Sequence, residues 1–444
     1  MGQPAIRQPA SNQRSSFWNL TRSVIRGRKH CCIAAIFCCN AITIHIQCLH
    51  NAHRRLLLPQ EKSRMRTIGS VLDASRGLGA GFDFVRLALA TSILAFHSIV
   101  VVGRLDLIEQ TPLWLTVYGL VPMFFALSGF LISGSALRLS LPNFLLNRSL
   151  RIVPALAVEI TVSALILGPI FTQFSLFDYF TSKDFFQYFL NIIGLIQYDL
   201  PGVFLHNESA GIVNLSLWTI PYEILCYAIM AAFIIFGLLK RPKLIIAAFL
   251  IYVTIPLVLE LIGLRDNLPK IADSLFFGRG TLAFQCFVLG SLAYVYRHRI
   301  PMSATLFGAA VIFAVLIAVV GNTEWRSSGF LNLVMCLPFT YITLFVGLCK
   351  IPPVPFYSTG DYSYGIYLYG YPIQQAIVAS MPAHGWGANF IAAILTVSCL
   401  AAFSWHWIEK PILTLRKNFS FVGRQISQHE KQASHPNSQV QSLS

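Results

Sequence analysis

The sequence predicts an all-α fold: a polytopic membrane helix bundle of about ten transmembrane helices. Hydrophobic residues make up 55% of the 444 residues and charged residues only 11%, whereas soluble domains carry about 25% charged residues. From residue 84 onward, apolar runs recur, each close to the roughly 20 residues that a helix needs to cross a bilayer. The net charge of +15 lies in short clusters between these runs, which excludes a basic nucleic-acid-binding domain.

Residues 1–65 differ from the rest of the chain. They are basic, rich in Cys, His and Asn, and contain no clear apolar run of spanning length. A signal peptide is disfavoured because no small-residue cleavage site follows the moderately apolar stretch 33–48. We interpret 1–65 as an N-terminal extension of uncertain status. Translation from Met65, with the upstream stretch a start-site artefact, is one explanation, and a weak extra membrane segment is another. The region holds no Cys-x-x-Cys pair, so no metal site is predicted.

Residues 79–413 form the predicted membrane domain, and the polar segment 416–444 is a predicted disordered cytoplasmic tail. The longest connection, 173–216, contains an amphipathic stretch from Phe185 to Tyr198 that suits the membrane interface. The ten predicted spans are 84–103, 113–136, 152–172, 217–238, 243–263, 275–296, 302–321, 328–349, 363–382 and 388–408.

The basic residues between spans predict the orientation. With the N-terminus inside, the outer loops hold five basic residues: Arg104, Lys183, Arg265, Lys270 and Arg326. The inner loops, together with the first residue of the fifth span (Lys243), hold nine: Arg138, Arg148, Arg151, Lys240, Arg241, Lys243, Arg297, Arg299 and Lys350. Cytoplasmic loops carry such an excess of Lys and Arg. The even number of spans then places both termini in the cytoplasm.

Arg86 and His97 lie in the first span, where ionisable groups are costly. They are eleven residues apart, so they differ by about 20° from three full turns and share one face, about 16 Å apart along the axis. The orientation puts Arg86 near the cytoplasm, within reach of Asp83 one turn earlier, and His97 in the outer half. A snorkelling Arg86 and a helix-packing His97 are the alternatives, but the shared face favours a common functional groove.

Glu223 and an arginine pair are the next candidates. Glu223 lies six residues from the start of the fourth span, at a depth similar to that of His97, so the two are predicted to meet as an acid–base pair. Arg148 and Arg151 share a face at the inner end of the third span, where two guanidinium groups suit a phosphate. A structural hydrogen bond for Glu223 and positive-inside anchoring for the arginines are the alternatives.

Small and aromatic residues suggest where a substrate passes. Ser128 and Gly129 allow close helix contact in the second span, and packing is favoured over a nucleophilic role for Ser128. The tyrosine-rich ninth span suits either a polar tunnel or an interfacial belt. His406 and Glu409 are interpreted as the end of the last span. The predicted tunnel residues are Ser128, Tyr222, Tyr364 and Tyr367.

Six motifs follow one another between about residues 82 and 411. They are Phe82-Asp83-x-x-Arg86 with an Arg-x10-His spacing to His97, Phe124-Phe125-Ala126-Leu127-Ser128-Gly129-Phe130-Leu131-Ile132, Arg148-x-x-Arg151-Ile152-x-Pro154, Leu217-Trp218-Thr219-x-x-Tyr222-Glu223, Ser363-Tyr364-Gly365-Ile366-Tyr367-Leu368 and Ile408-Glu409-Lys410-Pro411. Each is weak alone, but six in order resemble the acyltransferase-3 family of bacterial integral-membrane acyltransferases.

The resemblance implies a ten-helix, multi-pass protein of the bacterial inner membrane that transfers an acyl group, commonly acetyl, from cytoplasmic acyl-CoA. The acceptor it implies is a hydroxyl of an exopolysaccharide, lipopolysaccharide, Nod factor or similar glycan. It also implies that His97 is catalytic, that Arg86 belongs to the same motif, that Glu223 matches a carboxylate of the family pattern, and that Arg148 and Arg151 act near the CoA phosphates. Our mechanistic hypothesis places Arg86 near these phosphates as well. The expected partners are acyl-CoA, a glycan or glycolipid and membrane lipids, without metal or nucleic acid.

The chain departs from the family pattern in two places. Tyr369-Gly370 stands where the family often has an aromatic residue and histidine, and Pro221-Tyr222 stands where it often has small or acidic residues. Direct transfer and an acyl-histidine intermediate both remain open, as does the oligomeric state. The competing class is a polytopic glycan or lipid-linked-sugar transporter without acyl transfer. The absence of an internal repeat disfavours an inverted-repeat transporter.

Overall fold

A computed structural model describes residues 66–75, 79, 81–352, 354–357, 360–381 and 384–419. The predicted extension 1–65 and residues 420–444 of the predicted tail lie outside the described residues. Throughout the described ranges the chain is helical, with isolated β-bridges and no strand. The predicted all-α class is therefore confirmed.

Ten helices of the described chain correspond in order to the ten predicted spans, and most of their ends lie within three residues of the prediction. They are α1 (Phe82–Val101), α2 (Leu113–Ala136), α3 (Leu141–Val162), α4 (Ile220–Ile235), α5 (Pro242–Leu261), α6 (Thr281–Val295), α7 (Ala304–Val320), α8 (Gly329–Leu348), α9 (Ser363–Ser380) and α10 (Trp386–Ser404).

Length and composition qualify fewer of these helices as membrane spans. Among the described residues, seven helical segments are long and apolar enough to cross a bilayer, and they contain α1 to α5, α8 and α10. An eighth arises if α6 is joined to the short helix Lys270–Phe277, from which it bends by 52°. Helix α7 has only 17 residues, and α9 carries the buried polar side chains Gln374 and Gln375. The count of ten spans and the cytoplasmic termini stay predictions.

Helix α3 begins eleven residues before the predicted start at 152. Its first turns are helical because they pack into the protein: Phe144 is fully buried. At its other end a π-helical turn, Ser163–Leu167, continues the helix towards Phe171. As a result, Arg148 and Arg151 lie about two to three turns inside the helix rather than at its tip.

Two helix pairings position the site. Helix α9 runs parallel to α1, because two contacts follow in the same order along both. Asp361, just before α9, contacts Arg86 in the first turns of α1 at 3.2 Å, and Gln374 further along α9 donates hydrogen bonds to the Leu94 carbonyl oxygen at 2.7 Å and to Ser98 Oγ at 2.6 Å. Helix α2 packs backbone to backbone on α6, where a Cβ atom on Gly129 would lie 2.0 Å from the Phe287 carbonyl oxygen. The close contact predicted at Gly129 is thus confirmed.

The connection 173–219 folds back into the bundle. It contains the short helices Leu176–Thr181 and Lys183–Tyr188 and the 3-10 turns Phe189–Ile193 and Leu215–Thr219. Asn214 and Ser216, near its end, are fully buried. After α10, a π-helical turn, Trp405–Glu409, leads into helix Lys410–Phe419, so the first four residues of the predicted tail are helical.

Candidate active site

A pocket lies among α1, α2, α3, α4 and α9. Seven of the nine predicted site residues line it. Helix α1 contributes Arg86, α3 contributes both further arginines, and α4 contributes Glu223. Apolar side chains of α2 form much of the wall. The complete lining is Arg86, Val121, Phe124, Phe125, Leu127, Ser128, Leu131, Ile132, Arg148, Arg151, Ile152, Thr219, Glu223, Cys226, Tyr227, Ser363, Tyr364 and Tyr367.

One carboxylate fixes two of the three arginines. Asp361 Oδ2 lies 2.5 Å from Arg151 Nη2 and 3.2 Å from Arg86 Nη1. Ser363 Oγ donates to the other oxygen of Asp361 at 2.7 Å. Arg86 also contacts Asp83 at 3.2 Å, which confirms that predicted pair. Helices α1, α3 and α9 are therefore joined at one point.

Asp361 stays ionised in this setting. Burial by itself raises the pKa of its carboxyl group, but Arg151 and Arg86 outweigh that effect and lower the pKa from 3.8 to about 2. Asp361 is not among the predicted site residues, although it lies two residues before the Ser363-Tyr364-Gly365 motif. Its partners lie 210 and 275 residues away along the chain, so no local pattern reveals them.

Arg148 differs from the other two arginines. It forms no ion pair with any residue that the structure describes, and its Nε atom is buried without a hydrogen-bond partner there. A buried donor left without a partner costs about 1–3 kcal/mol. A cation that lines a pocket at this cost is suited to an anionic ligand.

Glu223 lies with the arginines and not with His97. Its carboxylate accepts a hydrogen bond from the hydroxyl of Tyr227, and both side chains line the pocket. Within the described residues, no hydrogen bond or ion pair joins Glu223 to His97, so the predicted contact between them is absent. The prediction assumed a straight span from residue 217. Instead, the connection enters the bundle and α4 starts at Ile220.

His97 does not line this pocket. It is 5% exposed, and its ring packs edge-on against Tyr371 with 5.0 Å between ring centroids. Since Arg86 contacts Asp361 beside α9 and His97 contacts Tyr371 on α9, both face the same neighbour, as their spacing predicts. Tyr367, one turn before Tyr371, lines the pocket. The pocket thus ends about one turn, roughly 6 Å along the axis, short of the imidazole.

Tyr222 also lies outside the pocket. Its ring packs edge-on against Trp218 at 5.8 Å, and a Cβ atom on Gly280 would lie 2.0 Å from a Tyr222 ring carbon. Consecutive residues of a helix point about 100° apart, so with Glu223 facing the pocket Tyr222 faces the entry to α6. The other predicted tunnel residues, Ser128, Tyr364 and Tyr367, all line the pocket.

Glu409 belongs to the charged group, contrary to its interpretation as the mere end of a span. It is 2% exposed, and its Oε2 atom lies 3.8 Å from Arg151 Nη1. The π-helical turn that contains Glu409 packs beside α3, so this carboxylate points into the protein. A second buried carboxylate, Glu159 on α3, is 1% exposed and was missed entirely.

Comparison with known proteins assigns the family. A family model described as an acyltransferase domain, that of the acyltransferase-3 family, matches residues 80–405. The chain belongs to this family. It is therefore an acyltransferase, and its apolar helices make it a multi-pass membrane protein. The family membership does not favour the transporter alternative.

Two curated relatives cover most of the chain. It is 28% identical to an O-acetyl transferase of Shigella phage Sf6 over 336 residues, which are 75% of this chain and 96% of the relative. It is 26% identical to Nodulation protein 10 of Rhizobium leguminosarum bv. viciae over 384 residues, which are 81% of this chain and 100% of the relative. No solved structure matches.

Proposed function

We propose that this protein is an O-acetyltransferase of the bacterial inner membrane. It takes an acetyl group from cytoplasmic acetyl-CoA, or an acyl group from a related thioester, and passes it to a hydroxyl of an exported or cell-surface glycan. The observation that carries the proposal is the pocket with three arginines, one of which has no ion-pair partner among the described residues. The phage relative, an O-acetyl transferase, supports acetyl as the group transferred.

The donor is suited to the arginine end of the pocket. CoA carries phosphate groups, and guanidinium groups bind phosphate through paired, charge-assisted hydrogen bonds. Asp361 holds Arg86 and Arg151 by one nitrogen each. Glu409 lies 3.8 Å from Arg151 Nη1, which is beyond hydrogen-bonding distance, so N–H groups of both arginines remain available to a ligand. Arg148 adds a charge with no ion-pair partner in the described chain. The predicted orientation places this end at the cytoplasmic face.

The apolar wall of α2 suits the pantetheine arm, which carries the thioester from Arg86 towards His97. The acceptor oxygen then attacks the thioester carbonyl carbon, and the carbon–sulfur bond breaks. In direct transfer, His97 takes the hydroxyl proton and returns it to the departing CoA thiolate. General-base catalysis of this kind contributes about 10²–10⁴-fold in rate. A transient acyl-histidine remains the alternative route, in which His97 attacks the thioester first.

Glu223 has a donor-side role in this scheme. Glu223 accepts a hydrogen bond from Tyr227 and lies in the pocket with Arg148 and Arg151. It therefore orients the side chains that surround CoA, and it does not orient the imidazole of His97. This assignment revises the predicted pairing of Glu223 with His97.

The test uses membranes from cells that express the full chain, supplied with radiolabelled acetyl-CoA. Label incorporated into glycan and CoA thiol released are both measured. His97→Ala is expected to lower both by about 10²–10⁴-fold. His298→Ala is the matched control, because its side chain is 53% exposed and contacts Asp73 only at 3.8 Å. Undiminished transfer by His97→Ala contradicts the assignment, and glycan export without thiol release would favour a transporter.

A further inference from the structure

A buried carboxylate lies outside the pocket, near the C-terminal end of α3. Glu159 is 1% exposed and follows Arg148 by eleven residues, which is about 16 Å along the helix. Ionisable side chains inside membrane helices are costly and mark function by default. Glu159 takes no part in the proposed transfer steps.

Glu159 is hydrogen-bonded to the connection that precedes α4. Its Oε1 atom accepts from Ser163 Oγ at 2.8 Å and from Asn214 Nδ2 at 3.0 Å. The same Asn214 nitrogen donates to the Leu368 carbonyl oxygen of α9 at 3.0 Å. Asn214 is fully buried. It therefore joins α3, α9 and the end of the connection through one amide group.

From Asn214 the hydrogen bonds lead to the pocket wall. Asn214 Oδ1 accepts from the Ser216 backbone N–H at 3.0 Å and so caps the 3-10 turn Leu215–Thr219. The Tyr367 hydroxyl donates to the Ser216 carbonyl oxygen at 2.9 Å and lies 2.7 Å from Thr219 Oγ1. Thr219 and Tyr367 both line the pocket. The turn that positions them is joined to α3 and α9 through Asn214.

We propose that Glu159 is a positioning residue for acyl transfer. Through Asn214 it holds the Leu215–Thr219 turn and the Tyr367 hydroxyl at the end of the pocket nearest to Tyr371 and His97. The thioester has to pass this point to reach the imidazole. The inference rests on the proposed function. It assigns Glu159 to the alignment of the acyl group and not to the binding of the CoA phosphates, which the arginines contact.

The isosteric variant separates a positioning role from a requirement for charge. Glu159→Gln keeps a side-chain oxygen that accepts from Ser163 and Asn214, so the turn stays in place. Glu159→Ala removes that acceptor, so the Asn214 side-chain nitrogen keeps only its bond to the Leu368 carbonyl oxygen among those the structure describes, and the link from Asn214 to α3 is lost. A small misplacement of reacting groups costs up to about a hundredfold in rate.

The experiment measures thiol release from acetyl-CoA, at varied donor concentration, by the full chain in membranes. Glu159→Ala is expected to lower kcat by about ten- to a hundredfold with little change in the KM for acetyl-CoA, and Glu159→Gln is expected to restore kcat. If both variants lose activity equally, charge is required and the proposal fails. It also fails if Glu159→Ala keeps its kcat, or if the loss lies in KM.

A second variant covers the case in which Glu159→Ala does not fold. Tyr367→Phe removes only the hydroxyl at the far end of the hydrogen-bond chain. It is expected to reproduce the loss of kcat by itself. Where Glu159→Ala does fold, the losses of kcat in the double variant should not multiply. A Tyr367→Phe protein with unchanged kcat overturns the proposal. If the wild-type protein releases no thiol from acetyl-CoA, the proposed function fails together with this inference. If the wild type is active and Glu159→Ala has the same kcat, only this inference fails.

Discussion

Asp361→Asn is the substitution with the clearest consequence for the donor pocket. It keeps the shape of the side chain and removes the charge that Arg86 and Arg151 share. Asn retains an oxygen that can accept from Ser363, so the start of α9 keeps that hydrogen bond. Arg86 is then left with Asp83 at 3.2 Å, and Arg151 with Glu409 at 3.8 Å.

The size of the effect follows from the pKa of the Asp361 carboxyl group. The arginines lower this pKa from 3.8 to about 2. Each pKa unit corresponds to about 1.36 kcal/mol, so the folded protein stabilises the ionised carboxylate by about 2 kcal/mol relative to a carboxyl group with the ordinary pKa. The three side chains are 18% to 29% exposed, and solvent screening reduces the figure to about 1–2 kcal/mol. If this energy orients the guanidinium groups, its loss raises the KM for acetyl-CoA by roughly 5- to 30-fold.

The assay is donor-saturation kinetics in membranes, together with thermal unfolding of the purified protein in detergent. Asp361→Asn is expected to raise the donor KM and to lower the unfolding midpoint. Asp83→Asn is the matched control, since Asp83 contacts the same guanidinium group at 3.2 Å but its side chain is 90% exposed, and exposed ion pairs contribute little. A wild-type KM in Asp361→Asn, or an equal effect of Asp83→Asn, refutes the reasoning.

The pKa of Asp361 also predicts an absence of pH dependence. Its value in the folded protein lies below the ordinary value of 3.8, so the stabilisation is complete above that ordinary value. It is lost only as the pH falls through about 2. The ratio of the donor KM of Asp361→Asn to that of the wild type should therefore stay constant between about pH 5 and 8. A ratio that falls towards 1 at the acidic end would show that another group titrates there.

Two further predictions concern the third arginine and the helix packing. Arg148→Ala should raise the donor KM by roughly 10- to 150-fold, because a charged hydrogen bond contributes about 1.5–3 kcal/mol. Arg148→Lys should restore only part of the affinity, because a point charge lacks the guanidinium fork, and an unchanged KM in membranes would exclude Arg148 from the donor site. Gly129→Ala should lower the stability of the protein by about 1–3 kcal/mol, because the new Cβ atom would lie 2.0 Å from the Phe287 carbonyl oxygen. Thermal unfolding in detergent measures this loss. Gly308→Ala on α7 meets nothing within 4 Å and is the control, so equal destabilisation by both would contradict the packing argument.

The sequence by itself determined the helices and the family. An apolar run and its flanking charges are local features, so the ends of α2, for example, agree with the prediction at Leu113 and Ala136. Helical periodicity is local too, and it correctly placed Arg86 and His97 on a face that turns towards one neighbour. The six motifs led to the acyltransferase-3 family, which the match over residues 80–405 confirms.

Only the tertiary structure decided which side chains meet. Asp361 contacts Arg151, which lies 210 residues away along the chain. Glu159 contacts Asn214, which lies 55 residues away. Nothing local in the sequence encodes either contact. The connection 173–219 returns into the bundle instead of staying outside. For that reason Glu223 lies beside the arginines, and His97 stands about one helical turn beyond the pocket. Arg86 and His97 therefore share a helix face, as their spacing predicts, but the cavity that their spacing suggested reaches only the arginine.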